Sequence, residues 1–168
     1  LHTAYRRQRQ MCIRDRDLVD TGFNFVNGAN NHALDQGEQG VRNHIHTWNK
    51  FKDQVLFTGV YESEQAHRQI PIKTIKGVKV ALLSYTFGTN DHQPTHDYTV
   101  DTFDENKIKQ DVKKAKQQSD VVLVSAHWGN EGKHQPNATQ KNMHKFSLMQ
   151  VLMSVSYTHL RAHETVLD

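Results

Sequence analysis

Apolar and polar residues recur along the chain with two different periods, which separate helical segments from strands. In 37–52 and 104–119, apolar residues return every three or four positions, as they do on one face of an amphipathic helix. Short continuous apolar runs instead indicate buried strands. The predicted strands are 23–26, 55–60, 70–75, 78–85 and 120–126. Because strands and helices alternate, the pattern predicts an α/β fold.

Particular residues predict the turns, the helix ends and the core. Lys76-Gly77 joins two strands into a hairpin, Gly22 ends a first helix that includes 17–22, and Asp104 caps the helix after it. A short helix over 62–68, a polar loop over 88–103 and a helix from Ala138 are also predicted. The side chains expected to face the core are Val41, Ile45, Trp48 and Phe51 on one helix and Ile108, Val112 and Ala115 on the other.

The two ends of the chain differ in composition from its middle. Residues 1–16 contain five Arg and no Lys. Arg6–Arg16 and Val155–Thr165 can be back-translated into the opposite arms of a transposon adapter used in sequencing libraries, and such additions are excluded from reasoning about a fold. If the reading frame of 142–153 is shifted by one base, the encoded residues form a better helix pattern, followed by a glycine that ends the helix and by the start of a strand. We hypothesise that 1–16 and 154–168 are adapter-derived and unstructured, that 142–153 is out of frame, and that 17–141 is a partial domain.

The composition of 17–141 excludes several kinds of site. The whole chain has a formal net charge of +3, but 17–141 carries 14 basic and 15 acidic side chains. Nucleic-acid binding, which needs basic residues to neutralise phosphates, therefore loses its main support. The single cysteine, Cys12, lies outside this segment, so neither a disulfide nor a thiolate metal site is expected in it. No run of about eighteen apolar residues is present to span a membrane.

The most unusual local chemistry lies just after the first and the last predicted strands. Asn30, Asn31 and His32 lie in one loop, and His127 begins the other. In open α/β sheets ligands bind at the carboxyl ends of the strands, so these two loops are expected to meet. An asparagine oxygen and a neutral imidazole nitrogen can both bind a divalent metal ion, and a protonated imidazole can act as an acid.

Neighbouring residues add to both loops. Asp35 can hydrogen-bond the His32 imidazole, as supporting carboxylates do. Glu131 can add a ligand or an orienting contact near His127, and Trp128 fits either a packing residue or a wall of the site.

Simpler interpretations stay open for the same loops. An asparagine-rich connection is usually a turn closed by side-chain hydrogen bonds, and a histidine after a strand is more often a loop residue than a metal ligand. His44, His46 and His67 are expected at the surface. Because His44 and His46 are two apart on a helix, they do not share a face and are rejected as a metal pair. His92 and His96 are weaker candidates for substrate contact.

Two segments resemble a known family. Ala29–Gly37 reads ANNHALDQG, which resembles the ANNHxxDxG signature of bacterial capsule-synthesis proteins of the CapA type, associated with poly-gamma-glutamate. His127–Glu131 reads HWGNE and resembles the HWGxE segment of the same proteins. The order of helices and strands between them also agrees, and the resemblance covers most of 17–141.

The resemblance implies a fold, a cofactor and residue roles. The family is related to calcineurin-like metallophosphoesterases, which are four-layer α/β/β/α sandwiches with two divalent metal ions. By this resemblance Asn31 and His127 are metal ligands, and His32 is the general acid, supported by Asp35. Two metal ions clamp the attacking and leaving oxygens of a phosphoryl group. Asn30, Trp128 and Glu131 are carried over as site residues without a defined role.

The chain also departs from the family pattern. The acidic Gly-Asp and Asn-Leu-Glu motifs of the family's N-terminal part and its later Gly-His-x-Pro-His element are missing from the sequence. We therefore expect a fragment that holds about half of the metal site, binds metal weakly and has no phosphatase activity.

For the intact protein, the resemblance implies a role in capsule or cell-envelope polymer synthesis. It is expected to be anchored at the extracytoplasmic face of the cell envelope and to work with the capsule-synthesis machinery or the polymer. Two alternatives stay open, namely a generic metallophosphatase such as a nucleotidase, and a non-catalytic scaffold with the same fold.

Overall fold

The computed structural model describes residues 15–129 and residues 135, 137, 138, 140 and 141. It confirms the α/β class. The elements are α1 (residues 15–20), β1 (Phe25–Asn27), α2 (Gly37–Asn49), β2 (Leu56–Thr58), α3 (Glu64–His67), β3 (Ile72–Ile75), β4 (Val78–Thr86), α4 (Glu105–Lys116) and β5 (Val121–His127). Within this part of the chain, none of the helices combines the length and the apolar character that crossing a membrane requires.

The strands form two sheets. β1 and β2 pair in parallel, with Phe25 opposite Leu56 and Asn27 opposite Thr58. In the second sheet β4 lies between β3, which is antiparallel to it, and β5, which is parallel to it. The predicted hairpin is confirmed, and Lys76 and Gly77 both have positive φ angles, as a tight two-residue hairpin turn requires.

Helices pack on both sheets. Ile108, Val112 and Ala115 of α4 pack against Leu83 and Val124 of the second sheet. Val41 and Ile45 of α2 pack around Val60 just after β2, and Trp48 packs around Val55 just before it. The predicted inward faces of both helices are therefore confirmed, except that Phe51 is only half-buried.

Asp104 caps α4 as predicted, because its side chain accepts a hydrogen bond from the backbone N–H of Lys107 at 2.7 Å. The end of α1 at Gly22, with a φ of 94°, agrees with the prediction as well.

The two sheets contact each other on the faces that α2 and α4 leave open. Successive strand residues point to opposite faces, so Ser84 and Ser125 lie on the side of the sheet away from α4. Asn27 Nδ2 of β1 donates to Ser125 Oγ at 2.9 Å. Gly59 lies against Ser84, and a Cβ atom added to this glycine would be 2.9 Å from Ser84 Cβ. With a φ of 98°, position 59 admits glycine alone without strain.

Some sequence predictions differ from the structure. The first strand begins at Phe25 and is half-buried, while Phe23 precedes it with 56% of its surface exposed. Asp15 and Arg16, assigned to the unstructured end, are helical. Residues 1–14, 142–153 and 154–168 lie outside the described residues, and their assignment stays a prediction. Residues 138, 140 and 141 are helical, as the helix from Ala138 predicts.

The prediction that three histidines lie at the surface is confirmed only for His46. His67 is half-buried, and its Nε2 lies 2.9 Å from Asp101 Oδ1. His44 is half-buried against the ring of Phe57, and its Nε2 accepts a hydrogen bond from Trp48 Nε1 at 2.9 Å. It shares a helix face with the core residues Val41 and Trp48, which spacing of three or four positions explains.

His44 makes stability depend on pH in mildly acidic solution. Burial lowers the pKa of His44, and the opposing attraction of Asp15 only partly offsets it. The unfolded chain therefore takes up a proton at this position first, so stability present above about pH 6.5 is lost as the pH falls, by at most about 1.4 kcal/mol per pH unit. We expect His44→Gln to reduce the change in unfolding free energy between pH 7 and pH 5, measured by urea unfolding. His46→Gln should leave this pH dependence unchanged. Equal slopes in both variants would contradict this.

Candidate functional site

The loop after β1 is closed by its own asparagines. Asn30 Oδ1 accepts from the backbone N–H of His32 at 2.9 Å, and Asn30 Nδ2 donates to the Gly28 carbonyl at 3.3 Å. Asn27 Oδ1 accepts from the N–H of Ala29 at 2.7 Å. The simpler interpretation, a turn closed by side-chain hydrogen bonds, therefore describes Asn27 and Asn30.

Asn31 instead points across to the other sheet. Its Oδ1 lies 3.0 Å from Nε2 of His127, the last residue of β5, although the two residues are 96 positions apart in sequence. The structure thus brings the two loops together, as strand ends at one edge predict.

A residue without a predicted site role completes this group. Asn31 Nδ2 donates to Asn90 Oδ1 at 3.2 Å. Asn90 lies in the loop after β4 and has a φ of 54°. The sequence shows Asn90 only as one of several polar loop residues, and no motif or spacing links it to Asn31.

His32 and Asp35 form a pair at the surface beside Asn31. His32 Nδ1 and Asp35 Oδ2 are 2.8 Å apart, as their spacing predicts. The His32 side chain is 67% exposed. Because Nδ1 is held by the carboxylate, Nε2 is the nitrogen that can exchange a proton with a bound molecule.

Two clefts lie on either side of the Asn31–His127 contact. One has a volume of ≈ 660 Å³ and runs between the sheets, with the apolar residues Phe25 and Leu82 in its wall and His32 at its border. The other has a volume of ≈ 380 Å³ and lies between Asn31, His127 and the loop after β4, with Phe87 and Trp128 in its wall. Both clefts include Asn31 and His127, so a ligand in either one reaches this pair.

Trp128 packs in the core and borders the smaller cleft. It is buried and stacks on Phe103, with ring centroids 5.0 Å apart, and it also lines the smaller cleft. Glu131 lies outside the described residues.

Comparison with known proteins identifies the family. The model of the family described as "Bacterial capsule synthesis protein PGA_cap" matches residues 14–150. The chain belongs to the PGA_cap family. It is 30% identical over 132 residues to the PGA biosynthesis protein CapA of Bacillus subtilis (strain 168), an alignment that covers 75% of this chain and 33% of that protein. It is 29% identical over 140 residues to the capsule biosynthesis protein CapA of Bacillus anthracis, covering 76% and 32%.

This PGA_cap chain therefore spans about a third of the length of both curated relatives. The matched range contains both motif segments on which the resemblance rests, since Ala29–Gly37 and His127–Glu131 lie within 14–150.

The Asn31–His127 distance is that of a hydrogen bond, and it also lets both atoms bind one metal ion. Protein nitrogen and oxygen ligands lie about 2.1 Å from a small divalent ion, so two ligands at right angles are about 3.0 Å apart. The 3.0 Å between Asn31 Oδ1 and His127 Nε2 agrees with this value. Among the residues that the structure describes, no three His, Cys, Asp or Glu side chains form a group that could hold a metal. Asn31 and His127 are side chains of types that can bind a divalent ion, through an amide oxygen and an imidazole nitrogen.

The histidines of the long loop lie away from this pair. His96 Nδ1 is 3.4 Å from Glu38 Oε1 on α2, and its ring stacks on Tyr98. Neither His92 nor His96 lines the two clefts.

Proposed function

We propose that this chain is part of a metal-dependent, phosphoesterase-like hydrolase that acts in the synthesis of capsular poly-gamma-glutamate or another cell-envelope polymer. The observation that carries the proposal is the 3.0 Å contact of Asn31 and His127 beside the His32–Asp35 pair. Membership of the PGA_cap family and the names of the two CapA relatives support the polymer assignment.

The arrangement of layers supports a four-layer α/β/β/α sandwich for the intact domain. α4 packs on one sheet and α2 on the other, and the sheets touch each other through Asn27 and Ser125 on their remaining faces. In such a sandwich the strand ends of both sheets open onto one edge, where Asn31 and His127 lie.

Each residue of this site has a separate chemical task. Asn31 and His127 would hold one divalent ion, and the intact protein would hold a second. Bound metal ions supply positive charge that stabilises a phosphoryl group and lowers the pKa of a bound water. His32 Nε2 gives a proton to the leaving oxygen, while Asp35 fixes the ring through Nδ1. Asn30 shapes the loop, and Trp128 forms a wall, with Glu131 a further member of the site.

The partners and location belong to the same proposal. We place the intact protein at the extracytoplasmic face of the cell envelope, with the capsule-synthesis machinery or the growing polymer as its partner. The chain itself is proposed to bind metal weakly and to lack phosphatase activity, since its described residues offer two ligands. Titration calorimetry that finds a tight site for two metal ions in this chain would contradict that part.

Metal binding by a full-length protein that carries this segment tests the proposal. We expect two bound divalent ions per chain by elemental analysis. Loss of a residue that only hydrogen-bonds a metal ligand weakens metal binding roughly 10–100-fold. Asn31→Ala and His127→Ala should each weaken it more than that. His46→Ala, on the exposed side of α2, should leave it unchanged. Unchanged metal content in both site variants would contradict the assignment.

The same protein separates the alternatives. Release of phosphate from nucleotides, with no effect of the variants on polymer synthesis, would identify a nucleotidase. Normal polymer synthesis without bound metal would identify a scaffold.

A further inference from the structure

We infer that Asn90 is a positioning residue that fixes which end of the Asn31 side chain faces the metal position. The inference rests on the proposed function, because it concerns the proposed ligand Asn31. An asparagine amide has one acceptor end and one donor end. Only the oxygen can bind a cation, and the NH₂ group in its place would repel one.

In the structure the Asn31 amide has one orientation, which its contacts with both Asn90 and His127 share. Nδ2 donates to Asn90 Oδ1 at 3.2 Å, so Oδ1 is the end that faces His127 Nε2 at 3.0 Å. Without an acceptor at position 90 the amide loses the contact that distinguishes its two ends. Asn90 thus acts on the metal through Asn31, as partners of metal ligands do.

The loop that carries Asn90 is attached to the strands that carry the site. β4 ends at Thr86, which is the register partner of His127. The next residue, Phe87, donates its backbone N–H to the carbonyl of His127 at 2.9 Å. Asn90 follows three positions later, so His127 and Asn90 belong to one hydrogen-bonded unit.

The local backbone explains why asparagine suits position 90. Its φ of 54° lies in the left-handed region, which asparagine tolerates better than most residues other than glycine. The neighbouring Thr89 is buried and donates its hydroxyl to the carbonyl of His92. Farther along the loop, Thr95 N–H donates to Glu38 Oε1 of α2, the helix that follows the Asn31 loop, at 2.9 Å. Hydrogen bonds therefore hold the loop on both sides of Asn90.

Two substitutions separate the side chain from the backbone. Asn90→Gly keeps the left-handed backbone without strain and removes the acceptor. Asn90→Asp keeps an acceptor for Asn31 Nδ2 and tolerates the same backbone. Lys76→Gly is the matched control, because Lys76 also has a left-handed φ, of 50°, but lies in the β3–β4 turn.

The test is a Mn²⁺ titration of the 168-residue chain, followed by NMR line broadening at the Asn31 amide and the His127 ring. We expect Asn90→Gly to need at least about tenfold more Mn²⁺ than the wild type. Asn90→Asp and Lys76→Gly should bind at least as well as the wild type. Wild-type affinity in Asn90→Gly, or a loss in Asn90→Asp as large as that in Asn90→Gly, would overturn the inference.

A second readout needs no metal and separates this inference from the proposed function. In the metal-free wild type, the two Nδ2 protons of Asn31 should have well-separated shifts, because one is hydrogen-bonded to Asn90. The separation should persist in Asn90→Asp and shrink in Asn90→Gly, whether or not Mn²⁺ binds. The Nδ2 shifts can follow this prediction while Mn²⁺ broadens neither Asn31 nor His127 in the wild type. That outcome would contradict the proposed metal site and support the positioning of the amide by Asn90. Identical shifts in Asn90→Gly and wild type would overturn the positioning role itself.

Discussion

His32→Ala in a full-length protein that carries this segment is expected to lower phosphoester hydrolysis at least about a hundredfold, which is the usual contribution of a general acid. The physical reason is the proposed proton transfer from His32 Nε2 to the leaving oxygen, with Nδ1 held 2.8 Å from Asp35 Oδ2. The measurement is kcat with substrates whose leaving groups differ in basicity. A p-nitrophenolate leaving group needs little protonation. His32→Ala should therefore lower kcat less for a p-nitrophenyl ester than for an ester of an alkyl alcohol.

The choice of control for His32 follows from the structure. His46 is exposed on α2, whereas His44 is half-buried and bonded to Trp48, so His46→Ala is the variant that leaves packing unchanged. It should retain full activity. Undiminished hydrolysis by His32→Ala, or an equal loss for every leaving group, would remove the general-acid role.

Lys107→Ala is expected to lower the free energy of unfolding by about 2 kcal/mol, because it removes the cation that pairs with the carboxylates of Asp101 and Asp111. Lys107 Nζ lies 2.9 Å from Asp101 Oδ1 and 2.7 Å from Asp111 Oδ2. The Asp101 side chain is only 6% exposed. Urea unfolding at pH 7 measures the effect. The control is Lys109→Ala on the same helix, which removes an exposed pair with Glu105 and should cost about 0.5 kcal/mol or less.

The same group of charges sets a limit at alkaline pH. Burial alone would lower the pKa of Lys107, but attraction to Asp101 and hydrogen bonds to Asp111 and Asp101 outweigh it, so the pKa is raised. A raised pKa gives stability that is fully present below the unfolded value of 10.5 and is lost as the pH rises through the folded value. The difference in unfolding free energy between wild type and Lys107→Ala should therefore shrink as the pH rises above 10.5. A cost for Lys107→Ala no larger than that for Lys109→Ala would refute the buried-pair account.

Much of the fold could be predicted because its signals are local. Asp104 caps α4, Lys76-Gly77 turns between β3 and β4, and the inward positions of α4 are Ile108, Val112 and Ala115. Each of these depends on residues within a few positions of one another. One prediction failed because the burial comes from a distant element. His67 is half-buried because Asp101 lies against it, 34 positions later in the chain.

The candidate site divides in the same way. The pairing of His32 with Asp35 is a contact over three positions and follows from spacing. The meeting of Asn31 and His127 followed from the rule that loops gather at the carboxyl ends of strands. The different tasks of Asn30 and Asn31 did not follow, since both are the same residue type in the same loop. Only their partners distinguish them, because Asn30 bonds to its own turn and Asn31 bonds to His127 and Asn90.

The sequence by itself determined the α/β class, the helices and strands, and the two motif segments of the PGA_cap family. It could do so because periodicity, caps and turns are properties of neighbouring residues. Tertiary structure alone decided that Asn31 donates a hydrogen bond to Asn90, that Asn27 donates one to Ser125 across the two sheets, and that Lys107 lies between Asp101 and Asp111. These contacts depend on how sheets and loops pack in space, where a shift of a few ångströms makes or breaks a hydrogen bond.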